Sequence, residues 1–334
     1  MTLRALDARV VYGLLLPLLL VVFLLALYVG PVDISLVTAL SDRIDAAVSM
    51  ESLILFDIRL PRALLATLIG VTLGIAGAAL QGLLRNPLAE PGIIGVSNGA
   101  ALGAVIVFYY GLGGIAWFLL PLGGLLGALL AVVVIFLLVG QNRSTITLIL
   151  AGIAINAVGG ALIALALNFA ESPYAMQEIV FWLLGSVANR SVNDLTIALP
   201  FMLVGWAMML YCGRFLNALT LGEETAKSMG FEVARLRMVL VLGVTASVGA
   251  AVSVSGNIGF IGLVVPHLVR PFVAYEPRRL LLASGIAGAI LLLLADIAVQ
   301  LLSANREMKL GVITALVGAP FFLFLILKSR NTLS

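Results

Sequence analysis

Apolar blocks close to twenty residues long alternate along this chain with short polar joints. A helix needs roughly 20 apolar residues to cross the hydrocarbon of a bilayer. The blocks predict ten spans, at about 10–29, 61–84, 92–110, 117–140, 146–169, 193–213, 236–254, 258–273, 280–302 and 310–328. The eighth is short, and Gly256 and Gly259 break the chain before it. Three joints are longer. Residues 30–60 carry Asp33, Asp42, Asp45, Glu51 and Asp57. Residues 170–192 contain the amphipathic piece YAMQEIVFWLLGSV, which predicts a short helix at the membrane surface. Residues 214–235 mix acids, bases and glycines. Arg4 and Arg9 ahead of the first block resemble the start of a secretory leader. That block is too long, and no small-residue cleavage site is clear, so it reads as the first span.

Composition changes this picture little. Of 334 residues, 62% are hydrophobic and 10% charged, against about 25% charged in soluble domains. The expected fold is an all-α polytopic membrane protein of about ten transmembrane helices, one transmembrane domain over residues 1–334 with no room for a soluble one. Glycines recur at small-xxx-small spacing, as in Gly70 and Gly74, Gly95, Gly99 and Gly103, and Gly123 and Gly127. Such spacing lets helices in lipid approach backbone to backbone. No internal repeat of fixed short period is evident.

Charge then sets orientation. With the N-terminus inside, thirteen of the nineteen Lys and Arg fall on inner segments and six on outer ones. This is the cytoplasmic bias expected of a membrane protein. Ten spans put both termini on the cytoplasmic side.

Most familiar chemistry is missing. There is no GxxxxGK[ST] phosphate loop, no HExxH and no Cys/His cluster of zinc spacing. The single cysteine, Cys212, can form no intrachain disulfide. The single histidine, His267, reads as a structural hydrogen-bonding group. Asp296, in LLLLADIAVQLL, is the carboxylate expected well inside a span. An intramembrane acid invites a functional reading, but one aspartate suits a polar contact between helices as well as it suits a proton relay. The chain thus has wide joints on both faces and no energy source of its own.

The stretch LLRNPLAEPGIIGVSNGA (83–100) interrupts one block with charge and two prolines. Pro87 and Pro91 stop helix continuation and remove backbone donors. The expected result is a stiff inward hairpin that helps close the inner mouth of a pathway, since irregular backbone at membrane depth must be packed or line a cavity.

The chain closely resembles the permease family of binding-protein-dependent ABC importers for ferric siderophores, haem and cobalamin. The resemblance runs nearly end to end. It rests on IRLPR (58–62), GAALQGLLRNPLAEPGIIGVSNGA (77–100), LLGSV (183–187), LGEETAKSMG (221–230), GFIGLVVPHLVR (259–270), LLLADI (292–297) and GVITALVGAPFF (311–322). It implies a type II importer permease working as a homodimer in the bacterial inner membrane. Two cytoplasmic ATPase subunits would bind ATP and Mg, a periplasmic binding protein would deliver the cargo, and the chain itself would be no enzyme and hold no cofactor or metal.

Residue by residue, the resemblance implies ATPase coupling through Leu221, Gly222, Glu223, Glu224, Ala226, Lys227 and Gly230. It implies binding-protein docking by Arg59 and Arg62. Relatives often carry an arginine where this chain has Gln300, and E-L-P-[IV]-G where it reads EMKLG (307–311), so Arg306 and Lys309 stand as replacement positive charge. The pathway and inner gate would involve Asn86, Pro87, Leu88, Ser144, Thr145, Asn156 and Asn168. Ferric siderophore or haem leads as cargo, with cobalamin and then a molybdate-type oxyanion as alternatives. Two other classes stay open. An ion-coupled secondary transporter would survive ATPase loss, and a membrane scaffold would tolerate any substitution at Glu223 and Gly230.

Overall fold

The computed structural model describes residues 8–44, 49–140, 145–170, 172–302 and 308–333. Every regular element among them is helical: α1 (Ala8–Tyr28), α2 (Leu36–Ile44), α3 (Met50–Leu53), α4 (Leu60–Leu84), α5 (Val96–Tyr109), α6 (Leu119–Val139), α7 (Thr145–Asn168), α8 (Pro173–Leu183), α9 (Val192–Tyr211), α10 (Gly213–Leu219), α11 (Glu223–Ser228), α12 (Val233–Ser255), α13 (Ile261–Val269), α14 (Pro277–Leu302) and α15 (Leu310–Leu333). Seven helical stretches are long and apolar enough to cross a bilayer, and shorter apolar stretches at Val96–Tyr109, Ile261–Val273 and Leu310–Phe324 complete the expected ten.

The second span needs a correction. It was expected to begin at residue 61 but begins at Met50, because a π-turn at Ile54–Arg59 joins α3 to α4 without a break. Asp57 and Arg59 make this stretch look like a loop, and Pro61 withdraws a backbone donor there. A widened turn is a common way for a helix to absorb such an irregularity. The long joints also gain structure. Residues 30–60 include α2 and α3, residues 170–192 form the expected α8, and residues 214–235 fold into α10 and α11.

The core is a set of backbone-close seams. A Cβ on Gly74 would lie 2.0 Å from Ser284 O, and one on Gly70 2.5 Å from Gly288 O, so α4 and α14 touch without intervening side chains. Gly103 meets Gly123 in the same way at 2.1 Å, joining α5 to α6. Small residues remove the side-chain layer, and packing rather than hydrophobic exclusion then holds the helices in lipid. A part-buried side-chain hydrogen bond joins a further pair of helices, where Trp206 Nε1 donates to Thr72 Oγ1 at 2.9 Å between α9 and α4. Helices α4, α12 and α14 are mostly buried, whereas α1, α7 and α9 present long apolar faces outward.

Candidate functional site: a mid-depth cavity between two end structures

The helix α11 sits at one end of the bundle. Gly222 precedes it at φ +110° and Gly230 follows it at φ +88°, conformations open to glycine and strained for other residues. Between them Ala226 is fully buried, while Leu221, Glu224 and Met229 face outward. Lys227 Nζ bonds Glu224 Oε1 at 2.8 Å and lies 3.8 Å from Glu223 Oε1. The hydrogen bond to Glu224 holds this exposed lysine above its ordinary pKa. Glu223 Oε2 accepts from Arg237 Nη2 at 3.1 Å, and Arg237 is only 5% exposed. This pair fastens the short helix to the base of α12, which runs unbroken to Ser255. There Ser255 O accepts from Ser186 N at 2.7 Å, tying α12 to the segment after α8 at the far end. A load applied to α11 therefore has a stiff path through the bundle.

The corner after α4 does more than turn. Arg85 caps α4 at φ +49°, and Asn86 Oδ1 accepts from Leu88 N at 2.9 Å in a side-chain-stabilised turn. The chain then climbs back between the helices. A Cβ on Gly262 would meet Pro91 Cδ at 2.9 Å and Leu73 O at 3.1 Å, so these three residues share one point. Leu73 lies about 16 Å along α4 from Leu84, at 1.5 Å per residue. Pro91 and Glu90 thus stand well inside the bundle. This explains why α5 has only 14 residues: part of the depth is crossed by the chain before it, an irregular stretch and a single 3-10 turn at Pro91–Ile94. Asp296 is accordingly joined by a second deep carboxylate, Glu90, which belongs to no helix and faces the backbone N–H of Phe260.

Around this re-entrant chain lies a cavity of about 570 Å³. Glu90, Asn98, Asn156 and Asn257 supply its polar wall, and Leu73, Ile149, Ile153 and Phe260 its apolar one. Asn156 Nδ2 donates to Gly92 O at 2.6 Å, and Asn98 Nδ2 donates to Asn156 O at 3.3 Å. The amides therefore both line the space and pin α7 to the corner. Among the described residues no Lys or Arg pairs with Glu90. Such a surface offers neutral hydrogen-bonding groups and one carboxylate beside smooth hydrocarbon. It suits a large cargo that must be wetted but not held.

Of the expected pathway residues that are described, only Asn156 lines this cavity. Asn86 and Pro87 are exposed at the foot of the corner and Leu88 is half-buried. Thr145 and Asn168 occupy opposite ends of α7, and Ser144 lies outside the described residues. Sequence reasoning missed Glu90, Asn98, Asn257 and Phe260. The available signal was the acid between Ala89 and Pro91, whose depth becomes visible only once the corner is seen to climb.

The two arginines near the far end are engaged inside the chain. Arg59 is 5% exposed and gives its guanidinium to the carbonyls of Leu27, Tyr28 and Val32, closing the end of α1. Arg62 grips Asp296 with both arms of its guanidinium, Nε to Oδ2 at 2.9 Å and Nη2 to Oδ1 at 2.8 Å. Gln300 Nε2 adds a third bond to Asp296 at 3.0 Å. Asp296 is thus a contact between α4 and α14, and Gln300, the departure noted in the sequence, supports it. Arg62 keeps 18% of its side chain exposed, while Arg306 lies outside the described residues. His267 packs edge-on against Phe321 at 5.8 Å, and Cys212 is fully buried.

A profile of the FecCD transport family matches residues 18–328. The hemin transport system permease protein HmuU of Yersinia pestis is 38% identical over 329 residues, covering 97% of each chain. The vitamin B12 import system permease protein BtuC of Vibrio cholerae is 38% identical over 323 residues, covering 96% of this chain and 94% of that one. Among solved structures, an inward-facing metal-chelate type ABC transporter superposes with a TM-score of 0.85 at 30% identity, covering 96% of this chain and all of the other.

Proposed function

The chain belongs to the FecCD transport family of ABC transporter permeases, and from that premise we propose that it carries an iron chelate, a ferric siderophore or haem, across the bacterial inner membrane. The observation that carries this reading is the stiff route from α11 through Glu223–Arg237 and α12 to the wall of the mid-depth cavity. A permease without a nucleotide site needs such a route, because its work must arrive from elsewhere. Two copies would face one another across the pathway, with α7 and the corner toward the shared space. Two cytoplasmic ATPase subunits would hold ATP and Mg and grip Leu221, Glu224 and Met229. A periplasmic binding protein would dock at the far end, where Arg62 keeps more exposure than Arg59. Both termini would be cytoplasmic, and the chain would hold no cofactor and perform no chemistry itself.

In this mechanism nucleotide-driven closure of the ATPases pushes α11. Arg237 passes the displacement to α12, whose far end is fixed to Ser186. The break at 256–260 and the corner held to it by Glu90 shift together, so the cavity opens to one side as it closes to the other. Access alternates between two states that differ by a few kcal/mol, and the partners bias that balance.

Cobalamin is the second reading, favoured by the B12 permease being as similar as the hemin permease. The amide-rich, weakly charged wall serves either cargo. The deciding experiment is uptake of labelled ferric siderophores, haem and cobalamin by cells lacking this gene. Loss of one cargo, restored by the wild-type chain but not by Glu223→Gln with Gly230→Val, would name it and establish ATPase coupling. Transport that continues without the ATPase but stops when the membrane gradient collapses would replace this reading with a secondary carrier.

A further inference from the structure

A second cavity, of about 280 Å³, opens at the far end of the bundle and shares no lining residue with the mid-depth cavity. Phe108, Leu120 and Phe181 supply its apolar wall, and Glu178, Trp182, Ser186, Asn189, Arg190 and Lys309 its polar one. Two of these groups are donors with nothing to donate to. Trp182 is 6% exposed, and its indole N–H is buried without an acceptor among the described residues. Arg190 Nε is likewise buried without one. A buried donor left unpaired costs about 1–3 kcal/mol, so two beside one cavity point to an absent acceptor. Burial holds the Arg190 guanidinium below its ordinary pKa, although Asp194 partly offsets this. Asp194 is already committed, accepting from Ser191 N and Oγ at the start of α9. Lys309 adds positive charge at the rim, with Nζ 5.2 Å from the centre of the Phe181 ring.

The setting identifies the acceptor. The turn between α5 and α6, flanked by the lining residues Phe108 and Leu120, exposes Tyr110, Trp117 and Phe118. Exposed aromatic residues at the end of a membrane bundle mark the headgroup level. Arginine, lysine and indole donors at that level match the phosphate of a phospholipid, and the apolar wall matches the start of its glycerol and acyl chains. Glu178, on the same wall, calls for a cation beside the phosphate. We propose that this cavity is a binding site for a phospholipid headgroup of the outer leaflet, with phosphate held by Arg190, Trp182 and Lys309 and ammonium held by Glu178. Phosphoethanolamine carries both charges on one headgroup and has ammonium hydrogens to donate. The site would lock α8 and the segment after it, which bonds Ser255 at the end of α12, to the surrounding bilayer.

The test is native mass spectrometry of the purified full chain in detergent, supplied with equal phosphatidylethanolamine, phosphatidylglycerol and phosphatidylcholine. Phosphatidylethanolamine should be retained preferentially. Arg190→Gln should lower its occupancy about tenfold, the scale of a charge-assisted hydrogen bond. Trp182→Phe keeps the ring against Phe108, 6.0 Å away, and should lower occupancy about threefold, as for one neutral hydrogen bond. It keeps the proposal testable if Arg190→Gln does not fold. Glu178→Gln should erase the preference for phosphatidylethanolamine over phosphatidylglycerol. Equal retention of all three lipids by wild type and both donor variants would overturn the proposal. So would displacement of lipid by millimolar inorganic phosphate, which would make this a free-anion site, or an unchanged preference in Glu178→Gln.

Discussion

Arg62 and Asp296, 234 residues apart in sequence, form a two-armed ion pair between α4 and α14, with Gln300 as third partner. Asp296 is 1% exposed, so removing the arginine strands a buried negative charge. Arg62→Gln should destabilise the protein by about 3 kcal/mol, the usual cost of breaking one side of a buried pair. Arg62→Met combined with Asp296→Leu should recover most of that loss, because no charge remains to be desolvated. Thermal unfolding of the single and double variants in detergent would check this. A double variant worse than either single one would show that the pair does not act as a unit.

The tie between α11 and α12 makes a separate prediction. Arg237→Met should leave assembly with the ATPase intact, because the outward face of α11 is untouched, yet lower transport about tenfold. Gly230→Ala should add roughly 1 kcal/mol of backbone strain at φ +88° and weaken uptake less. Transport rate measured against co-purification of the ATPase separates the two effects. Loss of co-purification in Arg237→Met would show that the pair shapes the docking face rather than transmitting force.

Glycine seams can be tested by contrast. A Cβ at Gly74 or Gly103 would sit about 2 Å from a backbone oxygen of the facing helix, a distance that requires the helices to part. Gly74→Ala and Gly103→Ala should each lower the melting temperature by several degrees. Gly160→Ala, with nothing within 4 Å, should not lower it. Equal effects at all three positions would mean that helix propensity, not packing, decides.

Glu90→Leu should fill part of the polar wall and release the Phe260 N–H, slowing uptake while the chain still inserts. Glu90→Gln keeps an acceptor for that N–H and should retain most transport. If Glu90→Gln is as slow as Glu90→Leu, the negative charge itself matters to the cargo.

Cys212, fully buried at the junction of α9 and α10, should resist maleimide in the native protein and react after unfolding. Rapid native labelling would place this junction in solvent.

The ten apolar stretches were legible because lipid solvent demands long hydrophobic runs. The glycine spacing was legible for a related reason, since close approach leaves the same mark whichever partner helix is met. What escaped was depth and partnership. Pro87 and Pro91 announce a break but not that the chain climbs afterward, so Glu90 read as a loop acid. Arg59 stands beside Asp57 and Pro61 and reads as surface, although its acceptors are carbonyls at the end of α1. Backbone acceptors carry no sequence signature, so such a bond appears only in three dimensions. Arg62 and Asp296 were both noticed, but nothing local joins them.

The seams between α4 and α14 and between α5 and α6 also govern how this chain can drift over evolutionary time. Where two backbones touch, there is no side-chain layer to absorb a substitution, and a single added methyl must move a whole helix. Neutral variation is therefore channelled onto the outward faces of α1, α7, α9 and α15, where one aliphatic residue replaces another at little cost. Divergence can accordingly accumulate residue by residue on those faces while the seams stay frozen.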